Sequence, residues 1–271
     1  MATVGYMTNA FGPLVGTGGG VTSMKDVGYL TLENETVLLK KVSDVGFKYF
    51  EMFEGNICNF AKNPKDFLGL MKKHNISLLG VYVGCHFIYP DALPDEIAKV
   101  HKVATLAKEF GAKHLVLGGG SIRAKGIQED DYKLLASGID AVSEVVKEYG
   151  LTPSYHPHLG SLAETPQQID KLFSLSNTLF CPDIAHLIAG GCNIMQILEK
   201  YYDRIPYIHL KDIDNGAFVP LGKGQANIRG IVQFFLSKGY EGDWLAEIDG
   251  YPGDPEEACK TSFDFLKGLL I

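Results

Sequence analysis

Two hydrophobic periods alternate along the chain. Compact apolar runs such as FKYFEMF (47–53), ISLLGVYVG (76–84) and AKHLVLGGG (112–120) are followed by stretches whose apolar residues recur every three or four positions. The runs suit strands buried on both faces, as in a parallel sheet; half-exposed strands would alternate strictly. The longer stretches suit amphipathic helices that cover such a sheet.

The pattern predicts a strand over 3–9, then a helix over 35–46 with Asn34 as its cap and Gly46 at its end. A strand over 47–53 leads into a helix over 64–75, with Asn63 as cap and Pro64 at its first position. Further strands are predicted at 76–84, 112–120, 151–158, 178–183, 205–213 and 243–249. Helices are predicted at 93–111, 129–150, 165–176, 193–204, 227–239 and 254–270. These are eight βα units in 271 residues, close to the roughly 250 residues usual for a (β/α)8 TIM barrel, so residues 1–271 are expected to form one such domain. A doubly wound open sheet is the competing architecture. It would carry a phosphate turn directly after its first strand, whereas GTGGG (16–20) stands farther on and lacks the G-x-G-x-x-G spacing.

Composition narrows the setting. The chain is 46% apolar, ordinary for a soluble globular protein, and 21% charged, slightly low. Its net charge of −7 makes nucleic acid a poor default partner. No apolar run approaches the ~18 residues of a membrane span, and no basic leader precedes Lys25, the first charged side chain. The five cysteines (Cys58, Cys85, Cys181, Cys192, Cys259) form no CxxC pair and read as free thiols in a reducing compartment, so the cytoplasm is expected.

In a barrel the chemistry lies at the C-terminal strand ends. The predicted ends carry Glu51 and Glu54, His86, His156 and His158, Asp183 and His186, His209 with Lys211 and Asp212, and Glu247 with Asp249. Five of the eight histidines fall there, which points to a site instead of scattered core imidazoles. His156 and His158, in SYHPHLGS (154–161), are at alternate positions of a predicted strand and so share a side. Carboxylate and imidazole donors together suit a divalent cation such as Mn²⁺, Co²⁺, Zn²⁺ or Fe²⁺. Cys181, two before Asp183, is expected to point inward one layer deeper, where core packing is its default role.

The segments CPDIAHLIAGG (181–191), YIHLKDID (207–214), VPLGKGQAN (219–227) and LAEIDGYPGDPEEACKTSFDFLKGLL (245–270) resemble the sugar phosphate isomerase/epimerase superfamily, the xylose isomerase-like TIM barrels. The resemblance is strongest over 151–270 and rests on D-x-x-H, H-x-K-D, a late G-x-G and E-x-D in that order. It implies one divalent metal, Mn²⁺ or Co²⁺ foremost with Zn²⁺, Fe²⁺ and Mg²⁺ compatible, on Asp183, His209 and Glu247. It also places His186 beside substrate. Many members have a glutamate on strand five where this chain has YHPH, so His156 takes the ligand place and His158 faces substrate, or the reverse. The SYHPHLGSLAET segment is similar to that of inosose dehydratases, which remove water from a keto-cyclitol.

The implied chemistry is proton abstraction next to a carbonyl, with the metal stabilising developing negative charge. Epimerases use two opposed carboxylates. A histidine on strand five instead leaves Glu247 as base and a histidine, His158 or His186, as acid for a departing hydroxyl, which favours a lyase over an isomerase/epimerase. Lys211 is expected to bind a substrate oxygen or to pair with Asp212; Glu51 and His86 are candidate substrate contacts, with a structural salt bridge the other reading of Glu51. The GGGS turn (118–121) reads as a tight βα turn, and Phe53, Phe60, Phe87 and Tyr89 as pocket wall or packing.

The expected partner is therefore a small sugar or cyclitol, unphosphorylated because no Arg/Lys clamp is evident, with neither nucleic acid nor membrane. Barrels of this size often pair, so a homo-oligomer is compatible. A DNA-repair endonuclease of the same superfamily would need more ligands and a basic groove. A non-catalytic barrel would not need the Asp/His/Glu set.

Overall fold

A computed structural model of the chain describes residues 2–8, 14–15 and 28–271. The GTGGG segment (16–20) and the last residue of the first predicted strand, Asn9, lie outside the described residues. In chain order the elements are β1 (Val4–Met7), β2 (Leu14–Val15), β3 (Leu30–Thr31), α1 (Glu35–Val45), β4 (Tyr49–Phe53), α2 (Glu54–Cys58), α3 (Pro64–His74) and β5 (Ser77–Cys85). They continue with α4 (Leu93–Glu109), β6 (His114–Gly119), α5 (Asp131–Glu148), β7 (Thr152–His156), α6 (Pro166–Leu175), α7 (Ile184–Ala189) and α8 (Ile194–Lys200). The last are β8 (Tyr207–Leu210), β9 (Asp212–Asp214), β10 (Ala217–Val219), α9 (Ile228–Ser237), β11 (Asp243–Ala246) and α10 (Pro255–Leu266).

Seven parallel strands run in the order β7-β6-β5-β4-β1-β11-β8. The two ends of that sheet are joined by residues 178–183, predicted as a full strand. They form only single bridges, Tyr155 to Phe180 on one side and Asp183 to His209 on the other. Backbone bonds from Cys181 N to the Tyr155 carbonyl (2.8 Å) and from His209 N to the Pro182 carbonyl (3.0 Å) hold the seam. Pro182 has no N–H to extend a ladder, and Asp183 already caps α7, so this strand stays short. The result is a TIM barrel whose sixth strand is reduced to its contacts.

The helices follow their local signals. Thr165 and Gln168 close a reciprocal capping box on α6, and the Asn34 side chain accepts from Thr36 N at α1. Asn63 makes no side-chain cap, contrary to expectation; Pro64 alone starts α3. Apolar faces of these helices bury Val42, Val103, Ile139, Val142 and Leu172 against the outside of the barrel. Inside, Met7, Leu79, Val116, Cys181, Tyr207 and Leu245 form a separate apolar layer. That layer excludes water and is the floor on which the polar cluster stands.

Some elements are too short to show a period in the sequence: α2, α7 and the antiparallel β9–β10 pair. The predicted strand 205–213 divides because β9 leaves the barrel to pair with β10. The motif after it has a structural task. Gly222 N and Gly224 N both donate to Asp212 Oδ2 (2.9 Å each), and Ala226 N donates to Oδ1 (3.1 Å). The late G-x-G is thus wrapped around Asp212, which removes Asp212 as the partner of Lys211. Among the described residues, no helix is long and apolar enough to cross a membrane.

Candidate active site

At the C-terminal ends of the strands three carboxylates close on one ammonium. Lys211 Nζ lies 2.6 Å from Asp183 Oδ2, 2.6 Å from Asp249 Oδ2 and 3.1 Å from Glu247 Oε1. Both Lys211 and Asp183 are fully buried. His209 stands beside them. Its Nδ1 hydrogen-bonds Glu247 Oε2 at 2.7 Å and its Nε2 is 3.4 Å from Glu51 Oε1. Asp183 holds two roles at once, since its Oδ1 accepts His186 N (3.0 Å) and caps α7 while Oδ2 faces the cluster.

Strand alternation explains the assembly. His209 and Lys211, then Glu247 and Asp249, are two-residue pairs on neighbouring barrel positions, so all four project to the same end. The imidazoles form a chain. His156 lies 4.8 Å from His209, centroid to centroid, and its Nε2 is 3.8 Å from Asp183 Oδ2. His158 is past the end of β7, and its ring still stands 6.1 Å from that of His156, centroid to centroid, on the same side. Its ring packs 3.8 Å from His186, whose Nε2 reaches Asp249 Oδ2 at 3.1 Å.

The charges shift accordingly. Burial alone would raise Asp183, but Lys211, His186 and His156 outweigh it and hold its pKa well below the carboxylate range. Asp249 is depressed in the same way, burial being overcome by Lys211 and His186. Lys211 is pushed above its ordinary value because Asp183, Asp249 and Glu247 outweigh burial. His209 is held well above the usual imidazole value: burial opposes this, and Cys181, Glu51 and Glu247 prevail. Burial, followed by neighbouring positive groups, lowers His156 and His158. The His158 Nδ1 meets the Leu159 carbonyl at 2.9 Å. A carbonyl only accepts, so the neutral ring carries its proton on Nδ1 and offers Nε2 as an acceptor. A histidine is the expected acid; this tautomer gives His158 the opposite bias.

A cavity of about 360 Å³ opens above the cluster, within the roughly 300–1,000 Å³ of small-molecule sites. His156, His158, His86, Glu247 and Asp249 line it. Lys211 and Glu51, expected to meet substrate, do not line it. They stand beneath, because a buried ammonium and a buried carboxylate are held by opposite charges there. His186 also stands behind the wall, with His158 in front. His86 reaches the cavity and its Nδ1 meets the Ser121 hydroxyl of the GGGS turn. In that turn Gly119 has φ +113° and a Cβ there would meet the Cys85 carbonyl at 1.9 Å, so only glycine lets β6 end so close to β5. Phe53 lines the cavity, whereas Phe60 stacks on Phe67 in the outer core.

Glu54 received no role from its sequence position. It lines the same cavity, with Oε1 accepting from Tyr29 N and Gly84 N at 3.2 Å each. The signal that could have found it is its spacing, three residues past Glu51 at the end of an apolar run.

Five ligand-type residues are placed to fit a divalent cation. Single donor atoms of Asp183, His209 and Glu247 lie within 4.8 Å of one another, and so do those of His156, Asp183 and His186. His156 Nδ1 is buried without a hydrogen bond, as expected of a donor arranged for something other than protein. Three carboxylates around a single lysine also favour an added positive charge.

Comparison with known proteins agrees with this architecture. An inosose dehydratase of Geobacillus kaustophilus is 25% identical over 208 residues, 71% of this chain and 66% of that protein. One from Clostridium perfringens is 30% identical over 52% of this chain and 56% of its own length, so the chain spans about half to two thirds of these relatives. One from Clostridium beijerinckii is 28% identical over 87% of this chain and 91% of its own length. Among solved structures, the probable 3-DHS dehydratase AsbF of Bacillus anthracis superposes with a TM-score of 0.76 at 15% identity, covering 98% of this chain and 99% of that one. The 3-keto-D-glucoside 4-epimerase YcjR of E. coli gives 0.75 at 16%, covering 99% and 100%. At such identities the superpositions speak for the fold alone. A family model described as xylose isomerase-like TIM barrel matches residues 39–269, and the chain belongs to that family.

Proposed function

We propose that this chain is a divalent-metal-dependent lyase that removes the proton next to the carbonyl of a keto-sugar or keto-cyclitol and expels water, in the manner of an inosose dehydratase. We take residues 1–271 as one barrel domain acting in the cytoplasm. The carrying observation is the asymmetry of the cavity. Glu247 reaches it from the eighth barrel strand, while the fifth strand offers His156 and His158 and no carboxylate. A symmetric pair of bases is therefore missing at that position. The names of the curated relatives, inosose dehydratases, support the same substrate class.

His156, Asp183, His209 and Glu247 would hold the metal, Mn²⁺ or Co²⁺ foremost. When bound, it supplies Lewis-acid polarisation of the substrate carbonyl. Glu247, the member of that set whose neighbour Asp249 also faces the cavity, takes the α-proton. His158 accepts a hydrogen bond from the hydroxyl that leaves, through Nε2, and His186 packs behind its ring to fix it. His86, braced by Ser121, binds a substrate hydroxyl.

The test is a panel of inososes and ketohexoses with added Mn²⁺ or Co²⁺ in D₂O. Loss of water without an epimer is expected. Solvent deuterium in an epimerised or isomerised product would replace the lyase with an isomerase/epimerase, and a metal-free protein indifferent to chelators would sink both.

Metal uptake should also release protons. The His209 pKa is raised, so its ring is protonated near neutral pH in the metal-free protein and must lose that proton to act as a ligand. Mn²⁺ affinity should therefore weaken as pH falls. Titration calorimetry in buffers of different ionisation heat reads this directly, and a heat that does not change with buffer would contradict it.

A further inference from the structure

Glu54 faces the cavity, and the chemistry above leaves it without a task. It begins α2 directly after β4, the second strand position of the barrel. The segment with Asp183 and His186 fills the sixth position, across the barrel axis from it. Its geometry is that of a fixed group with one oxygen to spare. Two backbone N–H groups hold Oε1, whereas Oε2 is buried with no hydrogen-bond partner, in a side chain only 2% exposed. A Cβ at Gly28 would come within 3.2 Å of the Glu54 Cγ, so the chain passes close against the carboxyl.

We propose that Glu54 is a further catalytic residue, the acid whose Oε2 proton passes to the hydroxyl leaving the substrate. This rests on the dehydratase reading. The step balances. The α C–H bond breaks and its proton goes to Glu247, while its electron pair forms the new carbon–carbon double bond. The neighbouring C–O bond breaks with its pair on oxygen, which takes the Glu54 proton and departs as water. One carboxyl gains a proton and the other loses one, and exchange with solvent restores both.

The surroundings support an acid. Burial raises the Glu54 pKa to about 7, with Lys99 and the backbone N–H groups pulling the other way. The other titratable groups that face it are Tyr29, Tyr82, Cys58 and Cys85. Burial raises all four, Cys85 to about 12, so each holds its proton more tightly than Glu54 does. Lys99 Nζ donates to the Gly84 carbonyl, the same residue whose N–H binds Glu54. His158 complements this arrangement, because the Nε2 it offers accepts rather than donates.

The experiment separates the two half-reactions. The Mn²⁺-loaded wild type and Glu54→Gln are incubated with an inosose in D₂O. Exchange of the α-proton is followed by proton NMR, and water loss by formation of the unsaturated product. Gln keeps the oxygen that takes the Tyr29 and Gly84 N–H groups, so the fold and the Mn²⁺ content should match wild type. Exchange should continue near the wild-type rate while water loss falls roughly 10²–10⁴-fold, the range of general-acid contributions. If the Gln variant does not fold, Glu54→Asp carries the same comparison, with water loss slowed more than exchange. A variant that dehydrates like wild type, or one in which exchange and water loss fall together at equal metal content, overturns the role of Glu54 alone. A wild type that neither exchanges nor dehydrates, or that only epimerises, overturns the dehydratase reading and the acid role with it.

Discussion

Asp183→Asn should leave the barrel folded and strip it of metal and activity together. The asparagine side chain keeps an oxygen for His186 N, so the cap of α7 survives. What changes is the other atom. Asp183 Oδ2 lies 2.6 Å from Lys211 Nζ and 3.8 Å from the Nε2 atoms of His156 and His186. An amide NH₂ in that place offers donors to an ammonium and no negative charge to a cation. Losing several kcal/mol of transition-state stabilisation corresponds to a fall of roughly 10³-fold or more in kcat/KM. Metal-to-protein ratio after gel filtration and turnover with the best substrate of the panel are the two measurements. Full turnover with stoichiometric metal would remove Asp183 from the site.

Lys211→Met should have the largest effect on stability. It withdraws the ammonium from Asp183, Glu247 and Asp249 and leaves their carboxylates facing one another in a dry place. Breaking a buried pair by removing one partner costs about 3–5 kcal/mol. For a chain of this size that is a drop of roughly 10 °C in Tm. The sign of the pH dependence follows from both partners. The Lys211 pKa is raised, so its contribution is complete below the ordinary lysine pKa and is lost only as pH rises through the folded value. The Asp183 and Asp249 pKa values are depressed, so theirs is complete above the ordinary carboxylate pKa and is lost as pH falls through the folded values. The gap in Tm between metal-free wild type and variant should therefore be widest around neutral pH and narrow in strong acid. Added Mn²⁺ should raise the Tm of the variant more than that of wild type, because the cation replaces the missing charge. Equal melting at neutral pH would show that Lys211 does not neutralise the cluster.

The two variants together distinguish support from chemistry. Asp183 serves the metal and the cap of a short helix. Lys211 serves the carboxylates that the metal also needs, so it lies below the cavity and not in it. Both conclusions follow from which groups meet, which no linear spacing states.

Much of this could be read along the chain. Apolar runs alternating with helical periods specify a parallel barrel because hydrophobic period is a local property of consecutive residues. Once strand ends are placed, Asp183, His209 and Glu247 fall at one end of the barrel for the same reason. Where a few residues act alone, no such pattern exists. Pro182 and the capping role of Asp183 reduce the sixth strand to single bridges, and α2 and α7 are too short to show a period. His158 lies two residues past the end of β7, and only the fold shows that it faces the same cavity as His156.

Sequence by itself determined the barrel, the face that carries chemistry and the types of donor gathered there, because these depend on pattern and composition. Tertiary structure decided what each donor does. Only the meeting of segments distant in the chain could show Lys211 enclosed by carboxylates, Asp212 wrapped by Gly222 and Gly224, or Glu54 buried with one oxygen unpartnered. Charge, burial and proton affinity belong to neighbours in space, and those neighbours are chosen by the closure of the barrel.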